Sequence, residues 1–309
     1  MMRTVLVFRK VATAGGLLMA LAACVSDAQD AGRSAVLTDA KVVVTTNILG
    51  DVVRNLVGDD AEVEVIMPPN SDPHDFAASA RQAAAMREAD VLVVNGLRFE
   101  EGLSDTIEAA EADGVVVVAA TDAIEPIDFE EGVQDPHLFT DPVRMRQAAE
   151  LIADELAEQI PELDTPAYQE RVDAYLVALD ALDAEVVALL ADIAPERRVL
   201  LTNHEVFGYF ADRYDFEVLG AIIPGGSTLA EPSAADLTDL VNQIEERDVP
   251  ALFADTSSPS RLADALAAEG SDVEVVELFS ESLGEKGGDG DTYIGMVRAN
   301  AERIAMALG

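Results

Sequence analysis

Basic residues are scarce in this chain. Lysine occurs only at positions 10, 41 and 286, and with arginine the basic total is 20 against 59 acids. A formal net charge of −39 over 309 residues excludes a nucleic-acid partner, because such a surface repels phosphate backbones. Cysteine is rarer still. Cys24 stands alone, so no intrachain disulfide can form. Beyond the first 24 residues no apolar run is long enough to cross a bilayer. Tryptophan is absent and histidine occurs three times. With so few imidazoles available, the place of each one carries information.

The N-terminus reads apart from the fold. "MMRTVLVFRK" holds Arg3, Arg9 and Lys10 and no acid, and "VATAGGLLMALAAC" continues as an apolar run ending in small residues. This is the pattern of an export signal over residues 1–23, too short to span a membrane. Leu21-Ala22-Ala23-Cys24 resembles a bacterial lipobox, in which the cysteine is lipidated and becomes the new N-terminus. The expectation is a lipid anchor at Cys24 and a flexible tether through residue 40, in the small, polar "VSDAQDAGRSAVLTDA". Export removes three positive charges and no acid, so the mature surface is more acidic still. That excess attracts cations diffusely and is not itself a site.

Short β-rich runs then alternate with amphipathic stretches. The strands expected are 41–46, 61–67, 90–96 and 114–120, and, after a break, 198–202, 216–223, 251–255 and 272–278. Helices are expected between them, among others over 47–57, 79–88, 103–112, 233–246, 260–268 and 291–308. Strand–helix alternation with near-continuous valine and leucine predicts parallel sheets covered on both faces. The central segment carries two helix-start signals of one kind, Asp141-Pro142 and Thr165-Pro166. After the second, apolar residues recur at three- and four-residue spacing from Val172 to Ile193. The fold class expected is therefore α/β, with two lobes, each a four-stranded parallel sheet flanked by helices. An N-terminal lobe over 41–165 and a C-terminal lobe over 195–309 are joined by one rigid helix over 166–194, about 42 Å long.

His74, His137 and His204 all follow expected strands, at the carboxyl edge where open α/β sheets bind ligands. Two of them share a prefix: "NSDPHDF" holds His74 and "VQDPHLF" holds His137. Proline fixes its own φ and pushes the preceding aspartate into an extended conformation. Asp72 and Asp135 are also suited to bond a nearby backbone N–H, so each imidazole projects from a stiffened arm. Three neutral imidazoles meeting at a point suit a borderline cation such as zinc and leave one coordination position open. "LFSESLGEKGGDGDTY" offers Glu281, Glu285, Asp289 and Asp291 to fill it, with Glu281 nearest the strand end and water as the alternative. Asp255, ending another strand, is expected to orient an imidazole by accepting its other N–H.

"TTNILGDVVRNLVGD", "PPNSDPHDF", "ADVLVVNG", "DPHLFTDP", "TNHEVFGYFADRYDF", "FADTSSPSRLADALA" and "FSESLGEKGGDGDTYIGMVRAN" occur in that order. With them the sequence resembles the metal-binding receptor lipoproteins of bacterial zinc and manganese ABC importers, the class whose lobes are joined by one long helix. The resemblance covers essentially the whole mature chain. It implies metal ligands at His74, His137 and His204, with the fourth, usually aspartate, at Glu281. It further implies a monomer, lipid-anchored outside the cytoplasmic membrane, that serves a permease and its ATPase. A third imidazole where manganese members often carry an acid favours Zn²⁺. "EPIDFEEGVQ", with no histidine where many zinc members have a histidine-rich loop, keeps Mn²⁺ open. A hydrolase built on three imidazoles and a water is the competing class. Glu205 is its one obvious base, and no HExxH, GxSxG or phosphate-loop motif accompanies it. An added adhesin or chaperone-docking role stays open.

Overall fold

The structure is a computed structural model that describes residues 38–309 except 131, 224, 226, 230–231, 257–262, 264–265 and 267–272. The expected export signal, Cys24 and the tether through residue 37 lie outside the described residues. So does the helix expected over 260–268, but for Ala263 and Leu266.

The first sheet is built from β1 (Lys41–Val44), β2 (Glu62–Val65), β3 (Val91–Val94) and β4 (Val116–Ala119), in the order β2-β1-β3-β4. All its pairings are parallel. The helices between these strands are α1 (Asn47–Val57), α2 (Ala80–Arg87) and α3 (Ser104–Ala112). A two-stranded antiparallel hairpin, β5 (Asp128–Glu130) with β6 (Val133–Gln134), follows. Next come α4 (Pro142–Gln159) and α5 (Pro166–Leu189). The second sheet repeats the topology of the first: β7 (Val199–His204), β8 (Glu217–Ile223), β9 (Ala251–Asp255) and β10 (Glu274–Leu278) stand in the order β10-β9-β7-β8, again parallel. Its helices are α6 (Gly208–Tyr214), α7 (Ala234–Arg247) and α8 (Tyr293–Leu308).

Residue chemistry accounts for the strand order. The valine-rich β3 and the apolar-led β7 and β9 are buried along their whole length and take central places. The acid-bearing β2 and β10 stand at the edges, where charge discourages pairing with another chain. In each sheet the chain order reverses between two central strands, β1 and β3 or β7 and β9, which opens a crevice beyond their carboxyl ends.

Both expected helix starts form. Asp141 accepts from the Val143 N–H and Thr165 from the Tyr168 N–H, each followed by proline in the first turn. One face of α5, including Tyr168, Val172, Tyr175, Leu179 and Val186, is buried against α1, α4 and α8, and a single apolar core runs along it through both lobes. The helix expected to reach residue 194 stops at Leu189, so it is about 36 Å long. The reason lies beyond it in sequence. The Arg198 guanidinium donates to the Leu190, Ile193 and Tyr214 carbonyls, satisfying the acceptors of a chain that turns away. Leu190 and Ile193 thereby fold back into the core.

Leu179 is fully buried on α5, whereas Val177 is 66% exposed. Leu179→Ala should lower unfolding stability by about 2–5 kcal/mol in chemical denaturation, and Val177→Ala by no more than about 0.5 kcal/mol.

Candidate metal centre

Each of the four expected ligands is delivered by the carboxyl edge of a sheet. His74 lies in the loop after β2. Its own N–H donates to Asp72 Oδ1 at 2.9 Å, and Asp72 Oδ2 accepts from Thr228 Oγ1 across the cleft at 2.7 Å. His137 follows the β5–β6 hairpin, and its N–H donates to Asp135 Oδ1 at 2.8 Å. The two aspartates thus bond the backbone N–H of the histidine they precede, which fixes where each ring begins. Tyr209 of the second lobe donates its hydroxyl to the Asp135 carbonyl at 2.7 Å. His204 is the last residue of β7, at the reversal of strand order.

Glu281 sits in a clamped turn after β10. Asn300 on α8 holds the Phe279 backbone through both its amide groups. Asn47 on α1 accepts the Leu283 N–H at 2.7 Å and donates to Ser282 Oγ at 2.9 Å. Ser282 Oγ also accepts the Asn70 N–H at 2.7 Å. The first lobe therefore grips the turn that carries the carboxylate of the second.

The four side chains meet. One ligand atom from each of His74, His137, His204 and Glu281 lies within 4.8 Å of all the others, and none of the four residues is more than 2% exposed. Glu281 Oε1 is 2.8 Å from His74 Nε2, 3.3 Å from His137 Nε2 and 3.0 Å from His204 Nε2. The last is a contact off the hydrogen-bonding direction, since His204 Nε2 makes no hydrogen bond among the described residues. The extra methylene of glutamate is accommodated, because the carboxylate reaches all three rings. Glu285 instead accepts from the Asn70 side chain, Asp291 accepts the Gly287 N–H, and Asp289 is outside the cluster.

Other carboxylates hold two of the rings from behind. His74 Nδ1 is 3.2 Å from Glu101 Oε1, and His137 Nδ1 is 2.8 Å from Asp135 Oδ1. Donating Nδ1–H there turns Nε2 inward, toward Glu281 Oε1, and leaves it as the atom that would ligate a cation once it is deprotonated. Phe99 packs edge-on against both rings, with centroids 5.4 and 5.5 Å away. Glu101 and Phe99 are absent from the residues expected at the site, and their place after β3, on the same sheet edge, is the signal that points to them. Asp255 ends β9 and is buried, but the second nitrogens of His74 and His137 belong to Glu101 and Asp135. That of His204 makes no hydrogen bond among the described residues.

Electrostatics bind the cluster together. Burial lowers His137, but Asp135 and Glu281 outweigh it and raise the ring to about 9. Burial lowers His74 too, and its contact with Glu281 carries it above the ordinary histidine value. Burial raises Glu281, yet the three surrounding imidazoles hold its carboxyl well below the usual carboxylate range.

The donor set suits a borderline divalent cation. Tetrahedral zinc with donors near 2.0–2.1 Å separates them by about 3.3–3.4 Å; the Glu281 Oε1 contacts, at 2.8–3.3 Å, are shorter than this, and the whole set lies within 4.8 Å. His204 Nε2 and Glu281 Oε2, both buried without hydrogen-bond partners among the described residues, are groups that a cation would satisfy.

The sequence profile of a family described as "ZnuA: Zinc-uptake complex component A periplasmic" matches residues 42–307. The zinc-binding protein TroA of Treponema pallidum is 34% identical over 275 residues, covering 86% of this chain and 88% of TroA. The manganese-binding lipoprotein MntA of Halalkalibacterium halodurans is 28% identical over 293 residues, covering 94% and 96%. The solved structure of periplasmic TroA superposes with a TM-score of 0.83 at 32% identity, over 88% of this chain and all of that one. The chain belongs to the ZnuA family.

Proposed function

We propose that this protein is the extracytoplasmic receptor of an ABC importer, capturing a divalent transition metal, Zn²⁺ foremost, and delivering it to a permease driven by a cytoplasmic ATPase. The observation that carries this reading is the convergence of three buried imidazoles and one carboxylate within 4.8 Å. The similar proteins named for zinc and manganese binding support the class. Three nitrogen donors to one carboxylate favour zinc over manganese, which prefers oxygen-rich sites. Manganese is the second reading, favoured by the buried carboxylate and by the manganese-named relatives. Capture without turnover is part of this reading: Glu281, within reach of all three imidazoles, would take the position that a hydrolase keeps for water. Lipidation at Cys24 would hold this monomeric receptor at the outer face of the cytoplasmic membrane.

Alanine at His74, His137 or His204 should each weaken zinc binding by more than about 100-fold, beyond the loss expected from one supporting hydrogen bond. Unchanged calorimetric affinity in all three variants would refute the site. Zinc also competes with a proton for His137. A ring raised to about 9 is protonated at pH 7 without metal, so binding expels its proton and affinity weakens as pH falls below that value. Glu281, held in its ionised form, releases none. Calorimetry at pH 7 in buffers of different ionisation enthalpy should report at least about one proton released per zinc, and zero release contradicts the assignment. Protein purified without added metal should carry zinc by elemental analysis. Manganese retained in the presence of equimolar zinc would transfer the proposal to the second cation.

A further inference from the structure

The three imidazoles are not supported alike. His74 and His137 each present their second nitrogen to a carboxylate, whereas His204 Nδ1 is buried with no hydrogen-bond partner among the described residues. Ser280 Oγ, beside Glu281, is buried in the same condition. These two residues line one cavity of about 10 Å³ together with Asp255. That size corresponds to about one water; Val206, Phe207, Phe253, Ala254 and Leu278 line much of it, and His204, Asp255 and Ser280 bring the polar groups at its wall. Thr202, on the same wall, is already committed: its hydroxyl donates to the His204 carbonyl at 2.8 Å. A buried polar atom without a protein partner is uncommon and is commonly satisfied by an internal water.

The geometry points to an internal hydration site behind His204: one water that accepts the His204 Nδ1–H and donates to the Asp255 carboxylate and to Ser280 Oγ. Asp255 is then a positioning residue acting through that water, as Glu101 and Asp135 act directly on the other two rings. The water fixes the Nδ1–H tautomer and leaves the Nε2 lone pair for the cation. The strand end thereby gains an orientation that the short loop arms of His74 and His137 draw from Asp72 and Asp135.

This inference rests on the metal-capture reading, and the test separates the two. A high-resolution crystal structure of the zinc-loaded protein should contain an ordered water within hydrogen-bond distance of His204 Nδ1 and the Asp255 carboxylate. A dry cavity, or His204 Nδ1 bonded directly to a protein group, overturns the hydration site. In cobalt(II)-loaded protein, Asp255→Asn should lower Co²⁺ affinity about tenfold and shift the d–d bands. Unchanged affinity and bands remove Asp255 from the role, and if that variant fails to fold, the crystal structure decides alone. Cobalt binding that is indifferent to His204→Ala counts instead against metal capture at this site, while the water stays visible or absent in crystals of the metal-free protein.

Discussion

A carboxylate oxygen buried among three imidazole nitrogens is the interaction on which the rest of the structure depends. Removed from water, a lone carboxylate or a charged imidazole is strongly disfavoured, and each persists here because the others surround it. The arrangement is held from outside as well as from within. Asp72 and Asp135 fix the backbone at two of the rings, Asn47 and Asn300 fix the turn that carries the carboxylate, and β7 delivers His204 as its last residue. A cation entering this centre meets donors that are already gathered, so it need not first order the loops that bear them.

The two lobes reach this point by the same route. Each repeats one strand order, and each leaves a crevice where that order reverses. Between them α5 buries one face in a core shared by both sheets, which is a stiffer connection than extended crossover strands. The cross-lobe contacts are polar and local: Asn47 and Asn70 on Ser282, Asp72 on Thr228, Tyr209 on the Asp135 carbonyl.

Much of this was legible in the sequence because its signals were local. Valine-rich runs marked the strands, Asp141-Pro142 and Thr165-Pro166 marked two helix starts, and the repeated Asp-Pro prefix marked two ligand arms. The illegible parts depend on partners far away in the chain. The end of α5 is set by Arg198, and the grip on Glu281 joins Asn47 to a turn more than two hundred residues later. Glu101 lies behind His74 only because β2 and β3 flank the same central strand. Asp255 stands out by its strand-end position, yet position could not reveal that His204 Nδ1 makes no hydrogen bond among the described residues.

X-ray absorption fine structure at the zinc edge of the loaded protein tests the central claim most directly. The account predicts three imidazole nitrogens at about 2.0–2.1 Å and carboxylate oxygen at about 2.0–2.2 Å in the first shell. A shell with fewer than three imidazoles, or with oxygen donors alone, would contradict it.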